Sequence, residues 1–148
     1  MKKLLKIAAV LVILGAILVG YVFYTISSAS KLTEYDFGLD KIPSINAIIG
    51  EERKVTKVGS GVSTSSGQSK EYTYESASVP KDLLAYSQYL RSKDWLVTRD
   101  FNLNASNGVM ELATESADKG KILVVSVAFD QKQYVVKITK ADGTLTRK

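Results

Sequence analysis

The spacing of apolar side chains changes period several times along the chain, and each change marks an element. Residues 7–26, IAAVLVILGAILVGYVFYTI, contain no charged side chain. As a helix they rise about 30 Å, the thickness of a bilayer hydrocarbon core, which predicts one membrane span. Around Pro43, Ile42, Ile45, Ile48 and Ile49 recur at steps of three and four, a spacing that predicts one or two helical turns capped by Ser44 or Asn46 and stopped at Gly50. From Glu51 the period becomes two. Val58, Ser60 and Val62 alternate with Lys57, Gly59 and Gly61; serines, Thr64 and Gly67 then make a turn, and Tyr72 and Tyr74 alternate with Glu71, Thr73 and Glu75. Two such runs around a turn predict a hairpin.

The period then returns to 3.6. Val79, Leu83, Tyr86 and Leu90 form one stripe, widened by Leu84 and Tyr89, with Pro80 suited to the first turn, Ser78 available as a cap and Asp82 placing negative charge at the helix start. That face is expected to cover a sheet, with Trp95 closing the edge of the core at the helix exit. Four strands are expected afterwards: Val97 to Leu103; Met110, Leu112 and Thr114; the nearly continuous KILVVSVAF as the central strand; and Tyr134, Val136 and Ile138 as a last strand partly facing solvent before a fraying end. The expected fold class is α+β: an N-terminal transmembrane helix, then a small domain in which one main helix packs on a mostly antiparallel sheet, in the order hairpin, helix, four-strand meander, with the pairing of the hairpin to the meander left open. The organisation read from this pattern is residues 1–6 as a cytoplasmic basic flank, 7–26 as the span, 27–49 as a connector containing a short helix, and 50–148 as the extracytoplasmic α+β domain.

The flanks predict orientation. Lys2, Lys3 and Lys6 precede the span, whereas Lys31, Glu34, Asp36, Asp40 and Lys41 after it are sparse and mixed, so the positive-inside bias places the N-terminus in the cytoplasm and the domain outside. Tyr21, Phe23 and Tyr24 suit the outer headgroup boundary, and Gly15 and Gly20, five apart, miss the GxxxG spacing of helix dimers. The competing reading is a signal peptide cut after Ala29, since Ser27 and Ala29 are small residues at the positions a signal peptidase reads; the protein would then be secreted. The apolar run is longer than a signal peptide's usual core of about 7–15 residues, which favours an uncleaved anchor.

Charge adds little. The chain carries +5 overall, but three of its 20 basic residues precede the span, so the excess over 15 acidic residues beyond it is only +2, a poor footprint for nucleic acid. No cysteine is present, so no disulfide or thiol-linked lipid is expected, and with no histidine either, His/Cys zinc sites, thiol nucleophiles and a Ser/His/Asp triad are excluded. Gly59, Gly61 and Gly67 lack the spacing of a phosphate loop, and no EF-hand pattern occurs. Glu71 and Glu75 are the strand-borne carboxylates from which a shared acid/base site would be built, although a solvated face is the commoner fate of such a pair.

The expectation is therefore a noncatalytic envelope module that binds or scaffolds another protein, with no cofactor or metal. Its candidate interaction surface is the early hairpin with residues 42–49, represented by Ile45, Ile48, Arg53, Lys54 and Lys57. Membrane lipid is the partner of residues 7–26, and no feature identifies a small-molecule ligand. An enzyme using carboxylates is the alternative. Nucleic-acid binding ranks lower: Arg53, Lys54 and Lys57 form a small basic cluster and Tyr72, Tyr74 and Tyr134 would stack bases if exposed, but Glu51, Glu52, Glu71 and Glu75 lie in the same hairpin region.

Overall fold

In the computed structural model, which describes residues 2–63 and 67–146, the apolar run and the domain are joined without a break. Helix α1 spans Lys2–Ser30, 29 residues, and its described part from Val10 to Tyr24 is exposed on every face. With no charged side chain over that length and no protein covering it, α1 has the character of a membrane anchor. Residues 27–49, expected to act as a spacer, are ordered into elements throughout most of their length. Residues 27–30 are the last turn of α1, and Ala29 is buried in the domain core at 4% exposure. Strands β1 (Glu34–Phe37) and β2 (Asp40–Pro43) then pair as a two-stranded ribbon. The expected helical turns follow as α2 (Ile45–Ile49): Ala47 N–H donates to the Ser44 hydroxyl at 3.2 Å, and Gly50, left-handed at φ 68°, ends it.

The main sheet has six strands rather than the meander's four. Strands β3 (Val55–Ser63) and β4 (Gly67–Glu75) form the early hairpin, and after α3 (Val79–Ser92) come β5 (Leu96–Arg99), β6 (Asn107–Glu115), β7 (Lys121–Asp130) and β8 (Gln133–Asp142), in spatial order β3-β4-β8-β7-β6-β5. All pairs are antiparallel, and the hairpin joins the meander through β4 and β8, with Tyr72 opposite Val136 and Tyr74 opposite Tyr134. That pairing corrects the reading of β8. With β4 on one side and β7 on the other it is an interior strand, and Tyr134, Val136 and Ile138 are buried. The strand read as central, β7, lies beside it. Thr64 and the turn around it, the side chain of Val62, and residues 147–148 of the expected fraying end lie outside the described residues.

One sheet face carries the core. Tyr72, Tyr74, Met110, Leu112, Val125, Val127, Tyr134, Val136 and Ile138 share it, and α3 lays Val79, Leu83, Tyr86 and Leu90 on it beside the β1–β2 ribbon and α2. Burying aliphatic or aromatic side chains of this size stabilises by about 1.5–3 kcal/mol each before the ordering entropy is subtracted. Leu84, which widened the predicted stripe, is 48% exposed, and Trp95 packs against the core edge. Ser78 precedes α3 but makes no side-chain cap; the Ser76 hydroxyl accepts from Ser78 N–H instead, at 2.9 Å.

Candidate functional site

A concavity of about 780 Å³ opens where β3, β4 and the β7–β8 turn meet the start of α3. It is lined by Glu52, Arg53, Lys54, Glu75, Ser76 and Lys132 among others. Arg53 dominates its floor. Its Nε and Nη2 donate to the two carboxylate oxygens of Asp82 at 2.8 and 2.9 Å, and Nη1 pairs with Glu51 at 2.7 Å. The planar guanidinium suits such a fork. Asp82 is 2% exposed and also accepts from Ser76 Oγ at 2.6 Å and Tyr134 OH at 3.3 Å. Burial pushes its carboxyl upward, but Arg53 and the hydroxyl donors outweigh burial and hold it below the usual carboxylate range. Asp82, read from sequence as a helix-dipole residue, is thus the hub of a buried network. The signal was absent because its partner lies 29 residues away, across a strand pair.

The same arginine organises the anchor junction through its backbone. Arg53 N–H donates to Asn46 Oδ1, and the Asn46 amide returns bonds to Arg53 O and to Ser30 O, the last carbonyl of α1. Val55 N–H donates to Ser30 Oγ at 2.9 Å. The last carbonyl of α1 is thereby satisfied by the domain rather than by solvent, and the Ser30 hydroxyl ties the helix end to β3.

The five residues expected to share one interaction surface are divided by the fold. Ile45 is fully buried and Ile48 packs against the core, so the isoleucine stripe serves packing. Arg53 is bound to two carboxylates. Lys54 is exposed in the cleft, 3.6 Å from Glu75, while Lys57 is exposed further along β3 beside a different cleft. Glu71 and Glu75 also separate, Glu71 facing Lys57 and Lys137, and Glu75 facing Lys54. Tyr72, Tyr74 and Tyr134 are core residues with 6% exposure or less, which removes them as base-stacking platforms. Their rings and Tyr35 form two stacked pairs, and Tyr35 OH and Tyr74 OH share a 2.7 Å hydrogen bond. Burial pushes the Tyr74 phenol up to about 12 and that of Tyr35 well above its ordinary value.

A second buried ion cluster lies at the other end of β8. Lys140 Nζ pairs with Asp40 at 2.8 Å and with Asp118, and donates to Phe37 O at 3.1 Å. Asp40 further accepts from Ser116 Oγ and Ala117 N–H. All three lysine donors are used, which fits a structural clamp between β1–β2, β8 and the β6–β7 turn. Three Ser-x-x-Lys spacings, Ser28/Lys31, Ser78/Lys81 and Ser116/Lys119, are one turn apart in sequence, but each lysine is exposed and Ser116 gives its hydroxyl to Asp40. Among the described residues no group of three or more His, Cys, Asp or Glu side chains is placed to hold a metal ion.

The other parity of the sheet is the surface that the sequence concealed. KILVVSVAF is apolar on both parities and reads as wholly consumed by the core, yet only Leu123, Val125, Val127 and Phe129 are buried, while Val124, Ser126 and Ala128 are not. With them lie two rows of small and β-branched residues, Val109–Ala128–Val135 and Ala113–Val124–Thr139, separated by the mixed row Glu111–Ser126–Lys137–Glu71. Apart from Ala113 these residues are half-buried or exposed, and Thr73, which extends the first row opposite Val135, is buried. No protein-family model, curated protein or solved structure matches this chain.

Proposed function

We propose that the protein is a membrane-anchored extracytoplasmic binding module without a catalytic site, and that its open sheet face receives another envelope protein. The observation that carries the reading is that face: two rows of small and β-branched side chains separated by the row Glu111–Ser126–Lys137–Glu71, whose charges of both signs suit specific pairing with a complementary protein surface. The divergence of Glu71 from Glu75 supports a noncatalytic role, as does the engagement of the main cleft's arginine in ion pairs. The lysines before the span support the outside placement. Retention of the anchor is supported by Ala29 and Ser30, which are built into the core and which a cut between them would part.

The test is a photo-crosslinking amino acid placed at Ala128 or Lys137 in intact cells, with Lys93 and Gln131 as control positions. One discrete protein adduct from the sheet-face positions, missing from the controls, is expected. Equal labelling from all four positions, together with turnover of an envelope substrate by the purified chain, would replace this reading with the carboxylate-enzyme alternative.

A further inference from the structure

The charges on the open sheet face stand in a definite order across the strands. Arg99 on β5, at that strand's bulge, lies opposite Glu111 on β6, Glu111 opposite Ser126 on β7, Ser126 opposite Lys137 on β8, and Lys137 opposite Glu71 on β4. From the β5 edge inward the row is positive, negative, neutral, positive, negative. Neighbouring strands are about 4.8 Å apart. Glu111 and Lys137 therefore flank Ser126 at one strand spacing, and Arg99 and Glu71 at two. Arg99 and Lys137 are exposed, and Glu111 and Glu71 half-buried. Among the described residues none of the four joins an ion pair within the chain.

A row in this order is complementary to itself. Turned by half a rotation about an axis that runs along β7 through Ser126, it sets Lys137 of one copy against Glu111 of the other, and Glu71 against Arg99. Each contact then occurs twice, as a two-fold interface requires. Other positions of the axis set like charge against like, which is costly. Between β7 and β8 it opposes Glu111 to Glu71; between β6 and β7 it opposes Arg99 to Lys137; on β8 or β6 it opposes Lys137 or Glu111 to its own copy. The flanking rows suit the same axis. In Val109–Ala128–Val135, Ala128 falls on it and the two valines meet; in Ala113–Val124–Thr139, Val124 falls on it and Ala113 meets Thr139. Asp130, which β7 also carries on this face, is turned onto the β7–β8 turn, where it accepts from Lys132 and Gln133 N–H at 2.7 and 2.9 Å.

We infer that the occupant of the open sheet face is a second copy of this chain, packed face to face about a two-fold axis along β7. The pairing rests on the reading of that face as a binding surface and names what it binds. Short side chains on the flanking rows let two sheets meet in the aligned manner of a sandwich. Strands β4, β8, β7 and β6, over the nine residues of β6, make roughly 600 Å² of sheet at about 4.8 Å per strand and 3.4 Å per residue. A pair then buries about 1,200 Å², the lower end of specific interfaces. A shared membrane supplies the effective concentration that an interface of this size needs.

Because the chain has no cysteine, Ser126→Cys reports the axis without background. The full chain carrying it is produced in intact cells, where every copy is inserted the same way, and treated with a short bismaleimide suited to the roughly 10 Å between packed sheets. A band of twice the chain's mass is expected from position 126 and not from Gln131→Cys on the β7–β8 turn. Added to Ser126→Cys, Lys137→Glu and Glu111→Lys should each cut that band by about tenfold, since each opposes like charges at two places in the pair. Co-expressed with different tags, the two reversed chains complement each other at both places, and the band should return as a mixed dimer. One chain carrying both reversals should restore it as well. Bands unchanged by either reversal, recovery in neither the mixture nor the double variant, or equal bands from positions 126 and 131 would overturn the pairing. No band from position 126, with a discrete adduct of another mass from the photo-crosslinking positions, refutes self-pairing and leaves the binding reading standing. Absence of any adduct from the face refutes both.

Discussion

The two buried ion clusters use opposite strategies to hold the same sheet. At the anchor end, Arg53 presents a planar fork to Asp82, and the carboxylate is backed by the hydroxyls of Ser76 and Tyr134. At the other end, Lys140 offers a point charge to two carboxylates and a carbonyl that arrive from three different segments. The arginine cluster has spare donors and a second carboxylate, Glu51, so the loss of one contact leaves others. Each cluster sets one cation against two carboxylates, but in the arginine cluster the second, Glu51, is largely exposed, whereas Lys140 must serve Asp40, which is 7% exposed at its side chain, together with Asp118 and a carbonyl. The difference teaches where the domain is brittle: redundancy protects the junction with the membrane, and one residue holds the β1–β2 ribbon.

Acid should disturb both clusters at once. For Asp40 and Asp82 burial acts upward, but the basic partners and hydrogen-bond donors prevail and lower both carboxyls. A folded value below the unfolded one of about 4 means that this stability is fully present above pH 4 and is lost as pH falls through the folded values. Thermal midpoints should thus be flat above the unfolded value and drop steeply below it; a decline beginning well above it would contradict both assignments. Among substitutions, Lys140→Met should have the largest effect, about 3–5 kcal/mol, because it leaves buried carboxylate uncompensated. Combining it with Asp40→Asn and Asp118→Asn should recover much of that loss in denaturant titrations. Arg53→Lys should cost less, about 1–2 kcal/mol, since charge is kept and only the fork is lost. Equal losses in these two variants would erase the contrast between the clusters. The finest test is at the helix start: Ser76→Ala should cost about 1 kcal/mol through Asp82 and Ser78 N–H, whereas Ser78→Ala should stay within about 0.5 kcal/mol.

Local pattern carried much of the fold, and long-range pairing carried the remainder. The α3 stripe, the Ser44–Gly50 turn and the last three meander strands lie where period and capping residues put them, because each is decided by neighbours within a few positions, whereas the first, read from Val97 to Leu103, ends at Arg99 and leaves Phe101 and Leu103 in the following loop. The β1–β2 ribbon did not show itself, since EYDF and DKIP are too short to display a period. The burial of β8 depended on β4 arriving from over 60 residues upstream, and alternation alone cannot tell an edge strand from an interior one. For the candidate site, Arg53 and Lys54 were legible as a basic pair next to glutamates. Asp82 as partner was not, and neither was the open face, because Val124 and Val135 look like core residues in any reading that ignores which face a helix covers.

The direct passage of α1 into the core also governs how the module meets anything else. A flexible tether lets a bound domain explore a volume set by its length; here Ala29 and Ser30 leave no slack between anchor and domain. Encounters are then confined to the plane of the membrane, at one height and one tilt. On the proposed binding role, a partner anchored in that same membrane would meet the sheet face in two dimensions at high effective concentration, an advantage that a freely diffusing protein does not share.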